Sequence, residues 1–397
     1  MALILPSEPP DTPSARRFAL WNLGFRPFYL LAGALAAISI AVWVAQYQGW
    51  LGNSLALAGP LWHAHEMIFG YAFAVITGFL FTAAQNWTNR PTPSGGLLAA
   101  IAALWIAARV LVLTPYAMLA AAADTAFALA AAAGIAVPMW KSRNRRNYFF
   151  VALLLALGAV NLCFHLTLAD VIDLPLQRGV QIALDLILFI MAVMGGRVIP
   201  MFTANAVRGA TGKRVLWLER LALGSVLALI IADLPELPPV VIGVIASIAA
   251  IAHGARLALW QPWLTLSRPI LWILHASYGW IVVSLALRAL AEFGMVPGNL
   301  ATHALTVGAI GGLTLGMMTR TARGHTGRPL EAAPLETICY QLVQLAALAR
   351  VLVPLAIPGL YVAAVAASGL LWSVAFAMFT VMYWPILTRP RIDGRPG

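Results

Sequence analysis

The second apolar stretch of the sequence begins with "WHAHEM", which places three groups that can bind metals or move protons side by side. His63 and His65 carry imidazoles, and Glu66 carries a carboxylate that can orient a metal-bound imidazole or pass protons. Residues two apart differ by about 200° around an α-helix. Either the first turn after Pro60 is distorted so that both imidazoles face one metal, or they serve two partners, such as a flat cofactor and a bare metal ion.

Six of the seven histidines fall within apolar segments, at two depths. Four of them lie within about 8 Å of the same predicted membrane boundary at the rise of an α-helix. These are the predicted metal or haem ligands His63, His65, His165 and His303. Any one of them could simply hydrogen-bond to a neighbouring helix. Polar groups in a bilayer are costly and usually functional, however, so four at one depth favour a shared site.

The other two buried histidines, His253 and His275, lie near the opposite boundary on consecutive antiparallel segments. We expect them to ligate a second haem or to form a structural pair. Two acids, Asp124 and Asp185, lie at the depth of the outer histidines. Together with Glu66 they are predicted to relay protons or to orient metal-bound imidazoles, although pairing with arginine would also explain them.

These residues are positioned by a chain that is 397 residues long, 61% hydrophobic and only 10% charged. Soluble domains carry about 25% charged residues, and a helix needs about 20 apolar residues to cross a bilayer. The sequence therefore predicts an all-α, polytopic membrane bundle of about twelve transmembrane helices. The predicted spans are 26–46, 60–86, 96–113, 116–140, 147–170, 178–203, 216–233, 237–259, 269–291, 300–319, 336–354 and 359–385.

The basic residues support this number of spans. With twelve spans, 20 of the 25 lysines and arginines fall on one side of the membrane, which is the cytoplasmic side by the positive-inside rule. We predict that both termini are cytoplasmic, with a tail at 1–20, one transmembrane domain at 21–388 and a second tail at 389–397. The first fourteen residues lack a basic region ahead of a hydrophobic core, so no cleavable signal is expected. The formal charge of +11 then reflects orientation in the membrane and not nucleic-acid binding.

The tenth span offers room for a flat group. Gly308, Gly312 and Gly316 repeat every four residues and form a smooth groove, which serves either close helix packing or a porphyrin plane. Nitrogen ligands without a cysteine pair fit haem iron or copper. Cationic residues near the inner boundary are candidate contacts for haem propionates or simply for the cytoplasmic face. They are Arg197, Arg320, Arg323, His325 and Arg328.

Several blocks resemble the NnrS family over nearly the whole chain. They are "GFRPFYLLAG" from Gly24, "WHAHEMIFGYAFAVITGFLFTAAQNWT" from Trp62, "GGRVIPMFTANAV" from Gly195, "LWILHASYGW" from Leu271 and "HALTVGAIGGLTLGMMTRTARGHTGRPL" from His303. The resemblance implies a multi-pass protein of the bacterial inner membrane that contains haem, of the b type, and copper. It also implies a link to denitrification and nitric oxide stress. The family histidines correspond to His63, His65, His275, His303 and His325.

We therefore predict a redox metalloprotein, an oxidoreductase in the membrane, that binds or converts nitric oxide or its iron–nitrosyl products. Its electron donor would be a quinol or a cytochrome, and no nucleic acid is expected as a partner. One alternative is a twelve-span transporter of a metal ion or small solute, which would show flux and no bound haem. Another is a scaffold for denitrification enzymes, whose phenotype would survive His63→Ala and His303→Ala.

Overall fold

The computed structural model describes residues 18–52 and 59–395, and within them the chain is helical with no strand. Most of the predicted N-terminal tail, including Arg16 and Arg17, lies outside the described residues. The bundle has twelve principal helices in the described part of the chain. They are α1 Phe25–Tyr47, α2 Gly59–Thr88, α3 Gly95–Leu111, α4 Ala117–Lys141, α5 Phe149–Leu168, α6 Leu176–Ala206, α7 Leu216–Asp233, α8 Pro239–Leu259, α9 Pro269–Glu292, α10 Gly298–His325, α11 Pro334–Ala356 and α12 Tyr361–Thr388.

The helices confirm the predicted polytopic membrane bundle. Ten of them, among the residues described, are long and apolar enough to cross a membrane. The other two are α3, which has 17 residues, and α7, whose 18 residues include Glu219, Arg220 and Asp233. Every predicted span coincides with one helix to within a few residues, except that α10 continues to His325 instead of ending near 319. Helices satisfy their own backbone hydrogen bonds, which a lipid environment requires.

Consecutive helices pack against one another, and α12 returns to lie along α1. At the inner end Arg26 of α1 donates hydrogen bonds to the carbonyl oxygens of Leu387 and Arg389, at 2.9 and 2.8 Å. In mid-membrane the indole of Trp372 on α12 donates to the carbonyl of Ala36 at 3.1 Å. The first and last helices are therefore joined at two levels, and the bundle is closed.

Two helices depart from regular α geometry beside the histidines. α2 is α-helical to His65 and then forms a π-helix over Glu66–Ala72, and α10 forms a π-helix over Ala304–Gly311 directly after His303. π-Helical turns are rare and often mark functional sites. Since the turn that carries His63 and His65 is regular, the two imidazoles point to different sides of α2.

Candidate functional site

His65, Asp124 and His165 meet in the outer half of the bundle. His165 Nε2 lies 2.9 Å from Asp124 Oδ2, and His65 Nε2 lies 3.4 Å from the same oxygen. Asn161, one turn before His165 on α5, places its Oδ1 3.0 Å from His65 Nε2. All of these side chains are buried, and they come from α2, α4 and α5.

Arg109 of α3 completes this group of side chains, which we call the outer cluster: His65, Glu66, Arg109, Asp124, with His165. Its guanidinium donates to Glu66 Oε1 at 2.7 Å and to Asp124 Oδ1. Two buried carboxylates thus face one guanidinium, which leaves one negative charge. Burial makes an uncompensated charge very costly, so the cluster needs a further cation.

The surroundings of His65 show what that cation can be. Its Nδ1 faces Glu66 Oε1 at 3.0 Å, while its Nε2 faces Asp124. Ionised carboxylates only accept hydrogen bonds, so with both acids ionised each nitrogen of His65 carries a proton or binds a metal ion in its place. Either an imidazolium or a metal cation would neutralise the cluster.

The outer cluster also has the dimensions of a metal site. One ligand atom from each of His65, Asp124 and His165 lies within 4.8 Å of the others. Two ligand atoms on one zinc-sized ion are at most about 4.4 Å apart, so only a small movement of the side chains would bring all three to one ion. Two imidazoles with a carboxylate suit copper, zinc or iron.

His63 and His303 line a different space, a cavity of about 290 Å³ between α1, α2, α6, α10, α11 and α12. Its other walls are mainly apolar and aromatic, and Trp43 stacks on the His63 ring with centroids 4.3 Å apart. Neither ring nitrogen of His63 has a hydrogen-bond partner among the described residues. The cavity, which we call the histidine cavity, is near the lower end of the size range of small-molecule sites.

The four predicted outer ligands are therefore divided into two pairs. His65 and His165 share the outer cluster, while His63 and His303 share the histidine cavity. Glu66 belongs to the outer cluster with His65, and its Oε1 accepts a hydrogen bond from Arg109.

Asp185 lies in a second charged group, which includes no histidine among the described residues. Its Oδ1 is 3.0 Å from Arg288 Nη1, and Arg288 Nη2 is 2.6 Å from Asp233 Oδ2. Asp185 and Arg288 border a second cavity of about 170 Å³, together with Gln181 and Glu292. Again two carboxylates face one arginine, but no imidazole is present among the described residues that line this cavity.

The inner histidines do not bond to each other. His253 Nε2 donates to the carbonyl of Ala222 at 3.0 Å, and its Nδ1 accepts from the hydroxyl of Tyr278 at 2.7 Å. His275 Nε2 lies 2.8 Å from Thr203 Oγ1, whereas its Nδ1 is buried without a partner in the described residues. Both nitrogens of His253 are occupied, which favours the structural alternative for this residue.

The cationic residues at the inner face have partners of several kinds. Arg197 donates to Asn147 Oδ1 at 2.8 Å, Arg320 lies over the ring of Phe202 at 3.8 Å, and Arg323 pairs with Glu336 at 2.9 Å. His325 packs against Phe25, and Arg328 has one buried nitrogen, Nη1, without a partner among the described residues.

Three residues of the buried sites were missed by the sequence analysis: Arg109, Arg288 and Arg350. Each lies toward the outer end of its span, where the positive-inside rule predicts few basic residues. They are three of the four outer arginines, and all three are buried or nearly buried in the structure. A basic residue on the outer side was therefore the available signal for a buried charge partner.

Comparison with known proteins agrees with the resemblance noted in the sequence. No curated protein is similar in sequence at a significant level. The family model described as "NnrS protein" matches residues 19–391, which is nearly the whole chain. The chain belongs to the NnrS family of multi-pass membrane proteins.

Proposed function

We propose that this protein is a haem- and copper-binding oxidoreductase of the bacterial inner membrane that binds and converts nitric oxide or its iron–nitrosyl products. The observation that carries the proposal is the outer cluster, in which two imidazoles converge on a carboxylate with one negative charge in excess. Nitric oxide is small and apolar, so it reaches a site in the bilayer from the lipid phase.

The outer cluster supports copper as the bare metal. Copper accepts imidazole and carboxylate ligands and forms the tightest complexes among the divalent first-row metals. His65, His165 and Asp124 would hold the ion, while Glu66 would fix the His65 ring through its other nitrogen, at 3.0 Å. Arg109 would hold both carboxylates in place.

The histidine cavity supports haem. His63 and His303 lie on two different helices, α2 and α10, and the free nitrogens of His63 are available as ligands. Of the two alternatives for the glycine groove, the contacts of Gly308 and Gly312 with Trp280 and Ser277 favour close helix packing. The space for a flat group therefore lies beside the π-helical part of α10 and not in the glycine groove.

Haem and copper would together supply nitric oxide binding and electron transfer, and the protein would supply protons and exclude water. Reduction of two nitric oxide molecules to nitrous oxide and water consumes two electrons and two protons, and the electrons come from a quinol or a cytochrome. Glu66 can hold a proton beside the metal ligands His65 and Asp124, since its Oε1 lies 3.0 Å from His65 Nδ1. Their burial keeps bulk water away from the reacting gas.

Metal and haem content of the purified full chain tests the proposal. We expect His165→Ala to lose copper and keep haem, and His63→Ala to lose haem and keep copper. His253→Gln is the control and should retain both, since His253 bonds only to protein groups. Elemental analysis and absorption spectra measure the two cofactors. Wild-type protein without bound haem or copper, but with metal-ion flux in vesicles, would favour the transporter alternative.

A further inference from the structure

The histidine cavity contains an arginine that lacks a counter-ion. Arg350 of α11 is only 4% exposed, and its Nη2 donates to Tyr361 Oη at 3.0 Å while its guanidinium lies over that ring. Its Nη1 is buried and has no hydrogen-bond partner within the described chain. By contrast, Arg109, Arg256 and Arg288 each bind a carboxylate.

The lining of the cavity does not supply the missing anion. Among the described residues that line it there are two histidines and Arg350 but no aspartate or glutamate. A guanidinium stays charged at any physiological pH, and a buried charge without a partner is strongly unfavourable. The cavity is thus suited to a ligand that carries its own negative charge on a largely apolar body.

Arg350 also donates a hydrogen bond to Nε2 of His303, the nitrogen that would coordinate a metal in the ligand. His303 Nδ1 donates to the carbonyl of Asn299 at 2.7 Å, so the lone pair is on Nε2. That lone pair accepts a hydrogen bond from Arg350 Nη2 at 3.2 Å. A metal cannot coordinate Nε2 while Arg350 holds it.

We propose that Arg350 binds a carboxylate of the ligand in the histidine cavity, and that this movement releases Nε2 of His303 for coordination. The inference rests in part on the proposed haem, whose propionates are such carboxylates. A fatty acid would offer the same group on an apolar body. Arg350 is then a positioning residue. It binds the carboxylate of a ligand that has one, and otherwise its hydrogen bond to His303 Nε2 prevents that nitrogen from coordinating a metal.

Binding of acid and ester forms to the full chain, purified without haem, tests this. The ligands are haem and its dimethyl ester, iron-free protoporphyrin and its dimethyl ester, and palmitate with methyl palmitate. Quenching of tryptophan fluorescence measures porphyrin binding, because Trp43 and Trp372 line the cavity, and retention of radiolabelled palmitate and methyl palmitate measures theirs. Wild type should bind the porphyrin acids at least about tenfold more tightly than the esters, as expected for a charge-assisted hydrogen bond.

Arg350→Gln should abolish this preference, and Arg350→Lys should restore part of it. Haem dimethyl ester should bind Arg350→Gln more tightly than wild type, with a stronger imidazole-ligand absorption band, because His303 is no longer held. Arg178→Gln, at an outer arginine paired with Glu236, is the control and should behave as wild type.

Equal affinity of wild type for acids and esters would overturn the inference, as would a preference that survives in Arg350→Gln. If iron-free protoporphyrin acid binds more tightly than its ester, but bound haem shows no coordination of its iron by imidazole, the carboxylate site is supported. The haem ligands His63 and His303 would then be contradicted. A preference limited to palmitate would also support the site, with a fatty acid as its occupant, and would count against haem in this cavity.

Discussion

Replacement of Asp124 by asparagine tests whether the excess negative charge of the outer cluster holds a metal. In the variant, Glu66 alone would balance Arg109, and the shared oxygen between His65 and His165 would lose its charge. Loss of a ligand should lower metal affinity by at least about 10–100-fold, the range seen when even outer-shell partners are removed. Removing one partner of a buried ion pair also costs about 3–5 kcal/mol of folding free energy.

Asp185→Asn provides a matched control for the stability loss. Asp185 is as buried as Asp124, and it too shares one arginine, Arg288, with a second carboxylate. No histidine belongs to that group within the described structure, so it offers carboxylates but no imidazole ligands. Both variants should unfold at lower temperature, but only Asp124→Asn should lose copper.

The assay is copper per protein after equilibration in detergent at a fixed free copper concentration, with thermal unfolding of the same samples. Comparing the two variants separates loss of metal from loss of fold. The reasoning fails if Asp124→Asn keeps its full copper content, or if Asp185→Asn loses as much copper at equal stability. In the first case the outer cluster would be an ion-pair network closed by a protonated His65.

Two further predictions concern helix packing. Tyr278→Phe should lower the free energy of unfolding by about 1–3 kcal/mol, because the Tyr278 hydroxyl accepts a hydrogen bond from Arg256 at 2.8 Å in a fully buried network. Thermal unfolding measures the loss. Haem and copper contents should be unchanged. Loss of haem in this variant would show that the inner histidines hold a cofactor. Gly308→Ala should lower the free energy of unfolding by about 1–3 kcal/mol, because the added Cβ would lie 2.3 Å from the Trp280 ring. Gly224→Ala is the control, since no atom lies within 4 Å of its added Cβ, and it should leave the unfolding temperature nearly unchanged. Equal unfolding temperatures for the two alanine variants would contradict the packing at α9 and α10.

The fold was predictable because the bilayer imposes a similar length on every span, and the alternation of basic residues indicated twelve helical segments, as the described chain has. The one notable difference in span length is at the inner end of α10, where "MMTRTARGH" reads as a loop by its polarity. Protein contacts keep this segment helical: Arg323 pairs with Glu336, and Arg391 donates to the carbonyl of His325 at 3.0 Å. Outside the membrane, Arg391 lowers the pKa of Asp393 to about 2 through hydrogen bonds, so this C-terminal pair stays charged at neutral pH.

The sequence predicted the depth of the site's histidines in the membrane, but not the neighbouring helices that each of them faces. Rise per residue places His63, His65, His165 and His303 at one level, yet depth does not show which side of a helix faces which neighbour. The structure separates them into two pairs because α2 stands between α1 on one side and α4 on the other. Packing among twelve helices, which no single span encodes, decides that separation.

The spacing of His63 and His65 was the one feature of the sequence that indicated to which sides of a helix two of the histidines point. Two residues on a regular helix point almost oppositely, which left either a distorted turn or two partners. The turn is regular, and the π-helix begins only at Glu66, so the second alternative describes the structure. The two sites are about 3 Å apart along the axis of α2 and separated by the helix itself. One turn of α2 therefore sets the relative positions of both candidate sites, and a ligand that shifts the backbone at His63 also shifts the backbone at His65.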